Sequence, residues 1–127
     1  GWKGQNLNGI LAAARAQDMG TIAIRVLAGG IIATDERARA VSMMTKETDE
    51  QSEERRAKAA LTALGEGHGS RAQTGLRFVL GCRDVKVALI GIGAPSHVDE
   101  ALIAVDRGPL PGEALARLEP LYARDFA

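Results

Sequence analysis

Two seven-residue runs, TIAIRVL at 21–27 and VKVALIG at 85–91, set the frame into which the rest of this chain must fit. Both are rich in β-branched and aliphatic residues and nearly continuous in their hydrophobicity. That is the pattern of a strand buried on both faces of a parallel sheet. Each run leads into glycine, AGG at 28–30 and GIG at 91–93, where the backbone can turn sharply. Nearly everything else reads as helix. Leu7, Ile10, Leu11 and Ala14 recur at the three-to-four spacing of one buried face, predicting a helix over 7–18 with Asn6 as N-cap and Gly20 as the stop. Residues 49–64 are dense in good helix formers, and DEQSEERR within them reads as a solvated face. Ser70 is placed to cap a helix over 71–81, with Ala72, Leu76, Val79 and Leu80 on one side. SHVDEALIAVDRG predicts a further helix, and a last amphipathic one is expected over 112–123, capped near Pro111. Residues 34–46 read ambiguously, with DERARAV mildly helical.

Helices alternating with strands indicate right-handed crossovers and parallel pairing, the α/β class. Two strands are too few for a complete barrel or a doubly wound sheet, so the chain reads as a slice of one. At 127 residues it is one domain or part of a larger one. Aromatic residues make up only 3% of it, so Leu, Ile, Val and Ala must fill the core. Formal net charge is zero, which gives no electrostatic case for nucleic acid or an anionic membrane. The apolar stretch 21–34 is interrupted by Arg25 and falls short of the roughly 20 residues that span a bilayer. The single Cys82 excludes an internal disulfide framework and fits a reducing compartment, so a cytoplasmic location is expected. No secretory leader is visible, and the chain begins at Gly1 without an initiating Met. The expectation is trimming, a cloning scar, or a start inside a longer protein.

The glycine turn at 91–96, GIGAPS, invites comparison with the dinucleotide fingerprint G-x-G-x-x-G. It ends in Ser96, and only helix follows where the ribose-binding acid of another strand should stand, so that reading fails. Cys82, His68 and His97 have no metal-ligand spacing, and no zinc site is expected. His68, between Gly67 and Gly69, reads as a loop residue rather than a base.

The stretch 76–105, LRFVLGCRDVKVALIGIGAPSHVDEALIAV, resembles the C-terminal signature of the aldo-keto reductases: a helix, a short turn, strand eight of a TIM barrel and a cofactor-binding helix. DMGTIAIRVLAGG at 18–30 is similar to strand seven and the loop after it. The branch acting on sugars such as arabinose, fucose or galactose matches best. This resemblance implies a C-terminal portion of a TIM (β/α)8 barrel, about two parallel strands with flanking helices, forming a single partial-barrel domain over 1–127. It implies an NAD(P)-dependent oxidoreductase with its cofactor over the carboxyl ends of the strands. The family's catalytic Asp, Tyr, Lys and His come from the first half of the barrel. No residue here takes those roles, so the chain alone is expected to be inactive.

The resemblance also implies cofactor-binding residues. In the family, the segment matching Leu27, Ala28, Gly29 and Gly30 wraps the pyrophosphate through backbone N–H groups, chemistry that suits a diphosphate. An aromatic residue that stacks on the nicotinamide is replaced here by Ile24, and the polar residue and Pro after it by Arg25 and Val26. Residues 91–101 match the adenosine-phosphate clamp. NADP-preferring members carry Lys or Arg, and Ser, around the positions of Gly91, Ile92, Gly93 and His97, since a 2′-phosphate needs charge-assisted donors. This chain offers only His97. Glu100 matches an acidic residue that contacts adenine, and Ala101 replaces the usual Asn. NAD is therefore favoured over NADP, with binding weak or absent. The alternative is a non-enzymatic binding module derived from a half-barrel. In either case the open strand edges and apolar inner face predict self-association.

Overall fold

The computed structural model describes residues 9–35 and 49–126; the expected N-cap Asn6, Leu7 and most of the ambiguous 34–46 segment lie outside them. Over the described residues the order is α1 (Ile10–Ala16), β1 (Ile22–Ala23), a 3-10 turn (Ala28–Gly30), α2 (Glu50–Leu64), α3 (Arg71–Leu80), β2 (Val87–Ala88), α4 (Pro95–Arg107), α5 (Gly112–Ala116) and α6 (Glu119–Ala123). β1 and β2 pair in parallel, Ile22 opposite Val87 and Ala23 opposite Ala88. This is the expected α/β arrangement of two parallel strands with flanking helices.

The strands depart from expectation in length and burial. Each regular strand spans two residues rather than seven. Arg25 and Ala28 already have positive φ, 55° and 50°, and bend the first run out of the sheet. Nor are both faces buried. Ala23, Ala88 and Ile90 pack beneath α3 and α4 with Val26, Leu76, Val79, Leu80, Ala101 and Ala104. On the opposite face Ile22, Ile24, Val87 and Leu89 are 50–65% exposed. A continuous apolar run cannot say which of its faces is covered; here α3 and α4 cover one. Ala104 is fully buried, and its small side chain lets α3 and α4 approach each other.

The caps explain why the helices sit where they do. The Asp49 carboxylate accepts from the backbone N–H groups of Gln51 and Ser52, satisfying donors at the start of α2. Ser70 and Gln73 form a reciprocal capping box on α3. Pro95 occupies the first turn of α4, where its missing N–H costs nothing. α1 ends earlier than Gly20. Asp18 at φ 54° closes it, with Met19 N–H donating to Ala14 O and Asp18 N–H to Arg15 O, a left-handed helix stop. Its predicted face is only partly covered: Leu11 and Ala14 are half-buried, Ile10 is half exposed, and no residue of α1 is fully buried. The predicted last helix divides into α5 and α6. Pro120 lacks an N–H, and in a continuous helix its ring would meet the carbonyl of Ala116.

A second core joins α2 to α5 and α6 through Leu64, Leu110, Ala114 and Leu118. Burying each of those leucines contributes about 2 kcal/mol. The carbonyl of Leu64, at the end of α2, accepts from Arg117 Nη1 and His68 Nε2, both at 3.1 Å. The two cores are linked by Arg77, only 6% exposed. Its Nε donates to Gly108 O at 2.7 Å, Nη1 to His68 O at 2.9 Å and Nη2 to Pro109 O at 3.0 Å. Burial, and then the nearby Arg107 charge, lowers its pKa from the ordinary arginine value. Arg107 Nη2 donates to Gly67 O at 2.6 Å. Among the described residues no helix is long and apolar enough to cross a membrane.

Candidate functional site

Because β1 and β2 run parallel and in register, the segments that follow them leave the same end of the sheet. Those segments are the two glycine turns singled out from the sequence. In open and closed parallel sheets alike, ligands gather at this carboxyl end.

The first turn is built from left-handed backbone. Arg25, Ala28, Gly29 and Gly30 have φ of 55°, 50°, 68° and 100°. Ala28 N–H donates to Arg25 O, and Gly30 N–H and Ile32 N–H both donate to Leu27 O. Leu27 N–H and Gly29 N–H are not donors in these turn hydrogen bonds. Leu27, Ala28 and Gly30 are half-buried and Gly29 is exposed. The next residue, Ile31, is 2% exposed and anchors the turn. α3 holds it from beside: Arg71 Nε donates to Ile32 O at 2.8 Å and Nη2 to Ile31 O at 3.0 Å, while Nη1 pairs with Asp35 at 2.8 Å. Gly75 lets the turn lie close, since a Cβ there would come within 3.1 Å of both Leu27 Cδ2 and Ile32 Cγ2.

The second turn is open. Gly91, Ile92 and Gly93 are all exposed, and so is His97 in the first turn of α4. Gly93 N–H donates to His97 Nδ1 at 3.2 Å, so Nδ1 is the ring's acceptor here and Nε2 carries the proton when the ring is neutral. Glu100 is half-buried. Its carboxylate accepts from the Ser70 hydroxyl, and its backbone carbonyl accepts from Gln73 Nε2 at 3.1 Å. Glu100, expected from the resemblance to meet adenine, is thus tied to the start of α3, a contact that its sequence does not reveal. Only Ser70 is legible there, as a local cap, and a cap motif does not point to a partner 30 residues away.

The nine predicted residues thus fall in two groups at one end of the ladder: 27–30 in a tertiary-braced turn, and 91–93 with His97 and Glu100 in an exposed turn and helix start. Ile24, where the family's stacking aromatic would stand, is 60% exposed. Among the described residues no cluster of His, Cys, Asp or Glu is arranged to hold a metal ion. A cavity of about 410 Å³ opens beside the first turn, between Ile24, Arg25, Ala28 and Ile32 on one side and Arg56, Phe78, Tyr122 and Phe126 on the other; of the nine it touches Ala28.

No curated protein matches the chain. A family model, described as the aldo/keto reductase family, matches residues 3–123. That match takes in both glycine turns and every element described above, and the chain belongs to the aldo/keto reductase family.

Proposed function

We propose that this chain is the C-terminal, cofactor-carrying portion of a TIM-barrel NAD(P)-dependent oxidoreductase, holding the dinucleotide corner but none of the catalytic groups. The observation that carries this reading is the convergence of the two glycine turns at the carboxyl end of the parallel ladder. The 27–30 turn supplies backbone N–H groups for a diphosphate, donors that need no side-chain charge. Gly91, Ile92, Gly93, His97 and Glu100 form the adenosine side. Without Lys or Arg among them, a 2′-phosphate gains little, so NAD is preferred to NADP.

Carbonyl reduction is not expected from this chain with either cofactor, because no residue matches the family's tetrad. Turnover of aldoses or aldehydes above background, in a preparation cleared of host reductases, would contradict it. Binding is tested by titrating NAD and NADP while following the amide resonances of Gly29, Gly30, Gly91 and Gly93. All four should move, with weak affinity and no advantage for NADP. NADP binding tenfold tighter, about 1.4 kcal/mol, would overturn the reading of the adenosine side.

A second reading, a self-associating module without chemistry, is favoured by one observation. Ile22, Ile24, Val87 and Leu89 form an exposed aliphatic face on a sheet that has two strands and two open edges among the described residues. Such faces and edges recruit further surface. Light scattering at micromolar concentration should find assemblies of two or more chains in a cytoplasm-like buffer; a concentration-independent monomer would rule the module out.

A further inference from the structure

The start of α3 touches both halves of the candidate site through side chains only a few positions apart. Arg71 reaches one way, to the carbonyls of Ile31 and Ile32 and to the Asp35 carboxylate. Ser70 and Gln73 reach the other way, to the side chain and backbone of Glu100 on α4. One helix terminus therefore fixes the braced turn and the open turn relative to each other.

We propose that Arg71 is a positioning residue that sets the 27–32 turn at a fixed separation from the adenosine side of α4. This rests on the dinucleotide-corner reading above. Three features make Arg71 suited to the role. Its planar guanidinium has enough donors to hold two consecutive carbonyls and a carboxylate at once, which a lysine ammonium cannot match in geometry. The turn it holds carries Arg25 and Ala28 in left-handed backbone, a conformation that persists only when surrounding structure enforces it. Finally, Arg71 acts through backbone carbonyls, so it aims the turn's amides without occupying the ligand's place. A dinucleotide spans both sides, so its affinity depends on their separation. A mononucleotide does not.

The test uses Arg71→Met, which keeps an aliphatic stem of similar length, and Arg71→Lys, which keeps the charge. Each is titrated with NAD and, separately, with adenosine monophosphate, following the same four glycine amides. Arg71→Met should weaken NAD about tenfold through lost preorganisation while adenosine monophosphate binds within about twofold of wild type. Arg71→Lys should recover part of the NAD affinity. Unchanged NAD binding in Arg71→Met overturns the proposal, as does an equal loss for both ligands, which would mark Arg71 as a general fold contact. If wild-type Gly29, Gly30, Gly91 and Gly93 ignore NAD altogether, the dinucleotide-corner reading fails and the positioning role falls with it. Unaltered binding of adenosine monophosphate by the variant reports that it has folded.

Discussion

The two glycine turns look alike in sequence, AGG and GIG, yet they are glycine-rich for opposite reasons. At 29 and 30 the chain needs glycine for its own conformation, with φ of 68° and 100°. At 91 and 93 it does not. Neither residue is left-handed, a Cβ at Gly91 would meet nothing within 4 Å, and one at Gly93 would meet only the His97 ring at 3.7 Å. The first turn is braced by Ile31, Arg71 and the close approach at Gly75. The second is held, among the described residues, by the hydrogen bond from Gly93 N–H to His97 within its own segment. The same residue type marks backbone demand in one place and leaves room for an outside group in the other. Composition cannot tell these apart; φ and the space around Cβ can.

Three substitutions test that contrast. Ile31→Ala removes the anchor of the braced turn and should cost about 3 kcal/mol of stability by urea denaturation, within the range for large aliphatic truncations. A loss below about 1 kcal/mol would mean that the turn is not held by burial. Gly30→Ala forces a Cβ into left-handed backbone and should lower stability by about 1–2 kcal/mol, read as a fall in the thermal midpoint. Gly91→Ala should change stability by no more than about 0.5 kcal/mol, since it meets neither strain nor crowding. If the last two variants lose equal stability, the contrast between the turns is wrong. If Gly91→Ala is neutral in stability but weakens NAD, the contrast is sharpened, because glycine there then serves the ligand.

Much of the helical framework was legible because its signals are local. Ser70 caps the helix it was expected to cap, Asp49, read as the first residue of its helix, stands at the N-cap, and α3 and α4 fall within a residue or so of the predicted spans. The strands were legible as strands but not in extent. The runs overstated burial, one face being exposed, and the first run is cut short by the left-handed bend at Arg25, which no β-propensity reveals. Overlooking Pro120 merged two short helices into one, although its consequence follows from elementary sterics. In the site, the glycine turns and α4 were visible in sequence. Arg71 was not, because two of its partners are carbonyls 39 and 40 residues away that carry no side-chain signature, and the third, Asp35, stands far from it in the chain.

The seat of Arg77 bears on where this chain can be lengthened or cut. Residues 65–70, GEGHGS, have the composition of a linker, the kind of segment into which tags or domains are usually inserted. Yet the carbonyls of Gly67 and His68 are the receptors for Arg107 and Arg77, side chains projecting from two different helices. Extra length there would strip a buried guanidinium of one acceptor and separate the α2 core from the core beneath α3 and α4. The apparent linker is a keyed joint, and it should tolerate insertion less well than its glycines suggest.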